Sequence, residues 1–363
     1  MQNVIVYNKN WEMTGYIDAY SSLIWTKRYT SPGDFEMHLA YSRHLVDILK
    51  VGYYVALENA VDRGGIYAMI IDRIEIKQSR SDGATILVKG KSLLSLLSRR
   101  VLYNELVEST SCFGFISDLV NNCFGNVAVP PRRWLTYDGN IAYYLNDLTS
   151  DTDTRVRAAA GKGDNLCEVI TEFCEENGIG IDMLYNPNSE QYGIYVYKYR
   201  SKADEIIFSS SLDNLAECEY IQDISNYANM ALVSSDNSYA SAPTGIDSTT
   251  DPALMGIERF EQSFNTDLAG NTGTYGALQA SGVRQLRKKQ NTQEIIAEII
   301  SDVTYRYEVD YYVGDVVTVK TDFGITATAQ IVEMTEIWTS DEYTTTPTFS
   351  NYIITVETAE EEV

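Results

Sequence analysis

Apolar and polar positions alternate through most of the first hundred residues, the pattern of half-buried strands. Leu23, Trp25, Lys27 and Tyr29 fall on one side of the run 18–29. Ser31-Pro32-Gly33-Asp34 is a turn sequence, and 35–41 is the next strand run. A further run at 53–58 follows Gly52. The run 66–77 is long, and near its end Ile70, Ile74 and Ile76 oppose Arg73, Glu75 and Lys77. Ser81-Asp82-Gly83 turns the chain into 84–89, and 92–99 predicts a short helix carrying Leu93, Leu94, Leu96 and Leu97. Meander connections of this kind predict an antiparallel barrel or sandwich.

The texture changes after residue 102. Phe113, Ile116, Leu119, Val120 and Cys123 recur at helical spacing over 113–124. Pro130-Pro131 breaks the chain, and 132–163 shows no regular pattern. Asp164 is placed to cap a helix over 165–177 whose stripe is Leu166, Val169, Ile170, Phe173 and Cys174, and Gly178 ends it. Runs at 179–185 and 192–199 predict a hairpin across Asn186-Pro187-Asn188. Strands resume at 205–208, 216–222 and 229–234. The stretch 235–282 is rich in Ser, Thr, Gly, Asn and Asp and predicts a mobile loop or insertion. A helix is expected over 283–303, with Ile295, Ile296, Ile299, Ile300 and Val303 on one face.

Strand pattern returns at the end. Val313-Gly314-Asp315 turns into 316–321, and Asp322-Phe323-Gly324 reverses the chain into 325–337. There the apolar phase slips: Ile325, Ala327, Ala329 and Ile331 are odd, Val332 and Met334 even. One inserted residue near Ile331–Val332, a β-bulge, accounts for the slip. A closing strand is expected at 352–356 and a frayed tail at 360–362.

These elements predict an α+β, mainly β fold: two antiparallel barrel-like tube domains with an inserted α+β domain. The expected division is 1–102 for the first β domain and 103–202 for a peripheral α+β domain. Residues 203–234 with 304–363 form the second β domain, and 235–303 a loop and helix insertion.

Composition narrows the function. Apolar residues make up 44% of the 363, enough for sizeable cores. The net charge of -23 disfavours nucleic-acid binding, which needs clustered cations to displace counterions. The densest basic group, Arg284, Arg287, Lys288 and Lys289, reads first as a solvated helix face and only second as a phosphate patch. The first residues lack an apolar leader core, and no window reaches the length of a membrane span, so folding in a cytoplasm is expected. Five cysteines without a C-x-x-C pair predict reduced, mostly buried thiols. Twenty-seven tyrosines suit strands and half-wet contact surfaces.

Candidate chemistry is thin. His38 and His44 are the only histidines, and neither lies near a placed nucleophile or in zinc-ligand spacing. Cys167 and Cys174 read as core packing of one helix. Gly161-Lys162-Gly163-Asp164 has the wrong order for a phosphate loop and reads as the lead-in to a helix. Asp147, Asp151 and Asp153 lack the glycine and glutamate positions of a calcium loop. Paired carboxylates for glycoside hydrolysis depend on spatial pairing that a sequence does not reveal. The expectation is no catalytic residue, no metal and no cofactor.

Several ordered segments carry a resemblance. Leu23-Ile24-Trp25-Thr26-Lys27-Arg28-Tyr29 with Pro32-Gly33-Asp34-Phe35-Glu36 resembles the opening of the tail-associated hub family of siphophages and prophages of Gram-positive bacteria. Gly90-Lys91-Ser92-Leu93-Leu94 with Leu97, Arg99 and Arg100 is similar to that family's first-domain exit. Asn177-Gly178-Ile179-Gly180-Ile181 resembles its middle-domain turn, and Ile207-Phe208-Ser209 through Asn214-Leu215 its next landmark. Tyr312-Val313-Gly314-Asp315-Val316-Val317 with Ala329-Gln330-Ile331 is similar to its closing hairpin. The resemblance implies a baseplate-hub-like fold and a homotrimer that joins a six-fold tube to a three-fold tip. Its implied partners are distal tail or tube ring proteins, the tape-measure protein C-terminus and a central spike or fibre, at a virion tail tip or baseplate assembled in the bacterial cytoplasm. Trp25, Arg28, Tyr29 and Tyr312 are the candidate subunit contacts. Two other readings remain: a carbohydrate- or receptor-binding module using Trp134, Tyr137, Tyr143 and Tyr144, or a cell-wall hydrolase with a carboxylate pair.

Overall fold

A computed structural model describes residues 2–79, 83–104, 106–136, 138–149, 156–235, 238–243, 256–265, 282–283, 285–286, 289, 292–300, 304–340, 342–349 and 357–358. The strands in chain order begin with β1 (Val4–Tyr7), β2 (Met13–Ile17), β3 (Ser22–Arg28) and β4 (Asp34–Ala40). Helix α1 (Arg43–Ile48) precedes β5 (Tyr54–Asp62), β6 (Gly65–Ser79) and β7 (Gly83–Ser92), and a 3-10 helix spans Leu93–Arg99. Next come β8 (Leu106–Thr110), α2 (Cys112–Phe124), β9 (Tyr143–Leu148), β10 (Val156–Ala160), α3 (Leu166–Asn177), β11 (Ile179–Asn186) and β12 (Gln191–Lys198). The remainder is β13 (Ile207–Ser209), β14 (Leu215–Asp223), β15 (Met230–Ser235), β16 (Ser238–Pro243), β17 (Glu261–Asn265), β18 (Thr292–Ile299), β19 (Val316–Lys320), β20 (Ile325–Thr339), β21 (Tyr343–Phe349) and β22 (Glu357–Thr358). The fold is α+β and mainly β. No helix among the described residues is long and apolar enough to cross a membrane.

The chain divides into two units. The larger holds 1–218 and 296–363. Its strands run antiparallel through β2–β1–β5–β6–β7–β4–β3 and on to β20, which also pairs with β21 and β19. β9 pairs parallel with β12, and β13 parallel with β19. The predicted bulge is present, as the β20–β21 register shifts between Ile331 and Glu333. One core gathers Val6, Leu23, Trp25, Met37, Met69 and Val88 between the early strands. A second packs α2 and α3 on β11 and β12 through Ile116, Leu119, Phe173, Ile181, Ile194 and Val196. Each such side chain contributes about 1.5–3 kcal/mol on burial. The smaller unit, 219–295, has β15 between β16 and β17 and a small core of Ala228, Ala231, Val233 and Leu286.

Several expectations are corrected. The helix predicted over 283–303 is replaced over most of its described length by strand β18, where Ile295, Ala297 and Ile299 are buried and Ile296 exposed. Ile295 and Ile299 are four apart, a spacing that fits both periods; pairing of Ile296 with Thr348 and Ile299 with Thr345 decides for the strand. The stretch 132–163, read as irregular, contains β9 and β10, held by β12 and β8. The polar stretch 235–282 contributes β16 and β17. Asn165, not Asp164, caps α3: its Oδ1 accepts from the N–H groups of Cys167 and Glu168, while Asp164 accepts from Gly161. Gly178 ends α3 in the left-handed conformation. The strand β21 had no sequence expectation; the closing strand at 352–356 and most of the basic group at 284–289 lie outside the described residues.

Candidate functional site

Strands from opposite ends of the chain meet at β3 and β20, in register from Arg28↔Glu333 to Ser22↔Thr339. Facing residues of an antiparallel pair project to the same side. The inner side therefore carries Leu23, Trp25 and Lys27 with Met334, Glu336 and Trp338; the outer side carries Thr26 and Arg28 with Thr335 and Glu333. Three of the four candidate contact residues lie along this seam.

Trp25 is fully buried and Tyr29 nearly so, which makes both core residues within one chain. Tyr29 joins three segments. Its backbone N–H donates to Val332, its carbonyl accepts from Ile181, and its hydroxyl donates to the Gly178 carbonyl at 3.1 Å. Gly180 and Gly314 press on its ring, where a Cβ on either would come within 2.4–2.6 Å. Burial pushes the Tyr29 hydroxyl pKa up. Arg28 is half-buried on the outer side, pairs with Asp34 and Glu333, and donates to the Pro32 carbonyl at 2.9 Å. Tyr312 is 40% exposed, two residues from Gly314. Its ring lies under the Arg200 guanidinium at 4.9 Å, and Arg200 grips the buried Asp315 carboxylate at 2.9 and 2.6 Å. Of the four, only Arg28 and Tyr312 offer surface to another molecule.

Behind the seam sits an ionic cluster that pattern reading did not single out. Lys27 pairs with Glu308 and stands over the Tyr67 ring at 4.6 Å. Burial opposes its charge, but Glu308, helped by Glu336 and Asp182, raises its pKa overall. Glu336 is buried and accepts from the Tyr343 hydroxyl at 2.8 Å. Burial first, and then Glu308, push it up to about 7. Asp182 on β11 rises to about 6 from burial, against the pull of Arg63 at 3.3 Å. The available signal was phase: Lys27 and Glu336 each occupy the apolar phase of their strand.

The other candidates are structural. His38 contacts Glu36 at 2.7 Å on an open strand face, and Lys89 joins the same carboxylate; His44 is exposed on α1. Cys123, Cys167 and Cys174 are buried. Asp147 accepts from the Thr149 N–H and hydroxyl; Asp151 and Asp153 lie outside the described residues. Among the described residues, no three His, Cys, Asp or Glu side chains are grouped to hold a metal. Trp134 is enclosed by Phe124, Tyr143 and Tyr192 at 4.6–6.0 Å, and Tyr144 bonds Tyr195, so these rings pack on one another rather than form an open platform. Tyr137 lies outside the described residues.

The model of a family described as Siphovirus ReqiPepy6 Gp37-like protein matches residues 3–350. Among solved structures, the tail protein from Neisseria meningitidis MC58 is similar with a TM-score of 0.58 at 11% identity, covering 97% of this chain and 97% of that one. The 43 kDa tail protein of prophage MuSo2 from Shewanella oneidensis gives 0.58 at 10% identity, covering 96% and 98%. The prophage tail protein gp18 from Listeria monocytogenes EGD-e gives 0.53 at 11% identity, covering 96% and 94%. At these identities the likeness is one of fold. No curated protein matches the chain.

Proposed function

This chain belongs to the Siphovirus ReqiPepy6 Gp37-like protein family, a family of siphovirus tail proteins, and we propose that it is the structural hub at the distal end of the tail tube. In this reading three copies form a ring that joins the six-fold tube to the three-fold tip and surrounds the channel for DNA or the tape-measure protein. The role is association rather than catalysis. Residues 1–102 and the pair 203–234 with 304–363 act as the two tube-like domains, and 103–202 sits at the periphery.

The observation that carries the proposal is an open sheet edge. From Arg73 to Gln78, β6 pairs with β7 alone among the described residues, leaving a row of backbone N–H and C=O groups on its other side. An open edge of this length is a template for strand addition by another chain. Arg73, Glu75 and Lys77 pair with each other along it, and Ile76 is 48% exposed. Charges on an edge discourage random pairing and favour one register with a chosen neighbour. Closed rotational symmetry then uses each edge once. The net charge of -23 suits a channel wall past which a polyanion slides without being held. Arg28 and Tyr312 are the candidate subunit contacts.

Light scattering on the purified chain, with negative-stain images, tests this. A mass three times the 40.8 kDa chain and rings around a pore are expected. A monomer that persists at high concentration, and no ring in particles, overturns it.

A further inference from the structure

The larger unit carries an apolar groove of about 130 Å³ whose walls include Leu102, Leu106, Cys123, Val127, Val129 and Arg132. Its rim is unusual for so acidic a chain. Val127 is 71% exposed, and Val101, Tyr103 and Val129 are also exposed. Arg132 lines the groove, Arg133 is tied to its wall residue Ala128, and Arg100 lies against Phe124 at the end of α2. Arg132 lies 3.7 Å over the Tyr103 ring and donates to the Val101 carbonyl at 2.6 Å. Arg133 donates to the Ala128 carbonyl at 2.9 Å. Arg100 lies 4.8 Å over the Phe124 ring, and its Nε is buried without a hydrogen-bond partner. Among the described residues, no carboxylate forms an ion pair with any of the three. The stretch 125–136 contains Arg132 and Arg133 and no acidic residue, in a chain of 51 acidic and 28 basic ones.

Cations held against rings and carbonyls, with carboxylates plentiful elsewhere, leave their charge for something outside the chain. Exposed valines beside them leave apolar surface for the same visitor. We propose that this groove docks an extended, acidic segment of a neighbouring protein. Its short aliphatic side chains enter between Val127 and Leu106, and its carboxylates meet Arg132. Arginine suits this role because its planar fork pairs carboxylates in fixed geometry while its face stays stacked on an aromatic ring. The inference goes beyond the hub reading and holds whether or not the chain closes into a ring.

The test uses the full chain and fluorescein-labelled peptides of valine, alanine and glutamate, with counterparts in which lysine or glutamine replaces glutamate. Fluorescence anisotropy should show binding of the glutamate peptide, weakened by salt, and none of the lysine peptide. Arg132→Glu should weaken it about tenfold, as expected for a partly exposed ion pair made repulsive. Val127→Ser should weaken it independently of salt. Val127 is exposed, so Val127→Ser alone carries the test if Arg132→Glu fails to fold. Three results overturn the proposal: no binding of the glutamate peptide, binding indifferent to these substitutions, or displacement of the peptide by duplex DNA.

Discussion

Glu336 turns burial into a pH dependence that can be measured. Raising its carboxyl from 4.5 to about 7 corresponds to about 3 kcal/mol in favour of the neutral form, at about 1.4 kcal/mol per pH unit. The sign follows from proton binding. Below 4.5 folded and unfolded chains both hold the proton. Between 4.5 and about 7 the folded chain keeps a proton that the unfolded chain has released, so each rise in pH weakens the fold. Above about 7 the penalty is complete: an ionised Glu336 lies buried beside Glu308, with Lys27 its nearest relief. Glu336→Gln removes the titration, keeps an oxygen to accept from Tyr343, and leaves Lys27 paired with Glu308. The variant should therefore gain up to about 3 kcal/mol relative to the parent on going from pH 4.5 to pH 8. Asp182, raised to about 6, titrates in both proteins and cancels from the difference. Urea unfolding followed by tryptophan emission reads the region directly, because Trp25 faces Glu336 across the seam and Trp338 lies two residues along. A parent-to-variant difference that stays constant from pH 4.5 to pH 8 refutes the reasoning.

Gly314→Ala should destabilise by about 1–3 kcal/mol or more, because φ is +97° there and the new methyl would meet the Tyr29 ring; a lowered thermal midpoint checks it. Trp11→Ala should cost about 2–4 kcal/mol, since its indole is stacked between Tyr54 at 4.3 Å and Tyr185 at 3.8 Å and donates to the Tyr192 hydroxyl; urea midpoints measure it. Asn165→Ala should cost about 1 kcal/mol through loss of the α3 cap, and Asp164→Ala clearly less; an equal or larger loss for Asp164→Ala would place the cap where the pattern first put it.

Local pattern determined which segments are strands and helices where one period was unambiguous. The side shared by Leu23, Trp25 and Tyr29, the helical stripe of α2, the stop at Gly178 and the phase slip at Ile331–Val332 all followed from side-chain periodicity and glycine's freedom at positive φ. Periodicity reports which face a residue shows, not what lies across from it. It therefore could not place β3 beside β20, some three hundred residues away, or turn Trp25 and Tyr29 from candidate contacts into core. Where a spacing satisfied two periods, as with Ile295 and Ile299, only the pairing with β21 chose between them. The same limit hid the ionic cluster: Lys27, Asp182, Glu308 and Glu336 are scattered along the chain, and burial acts on their charges only once the strands have brought them together.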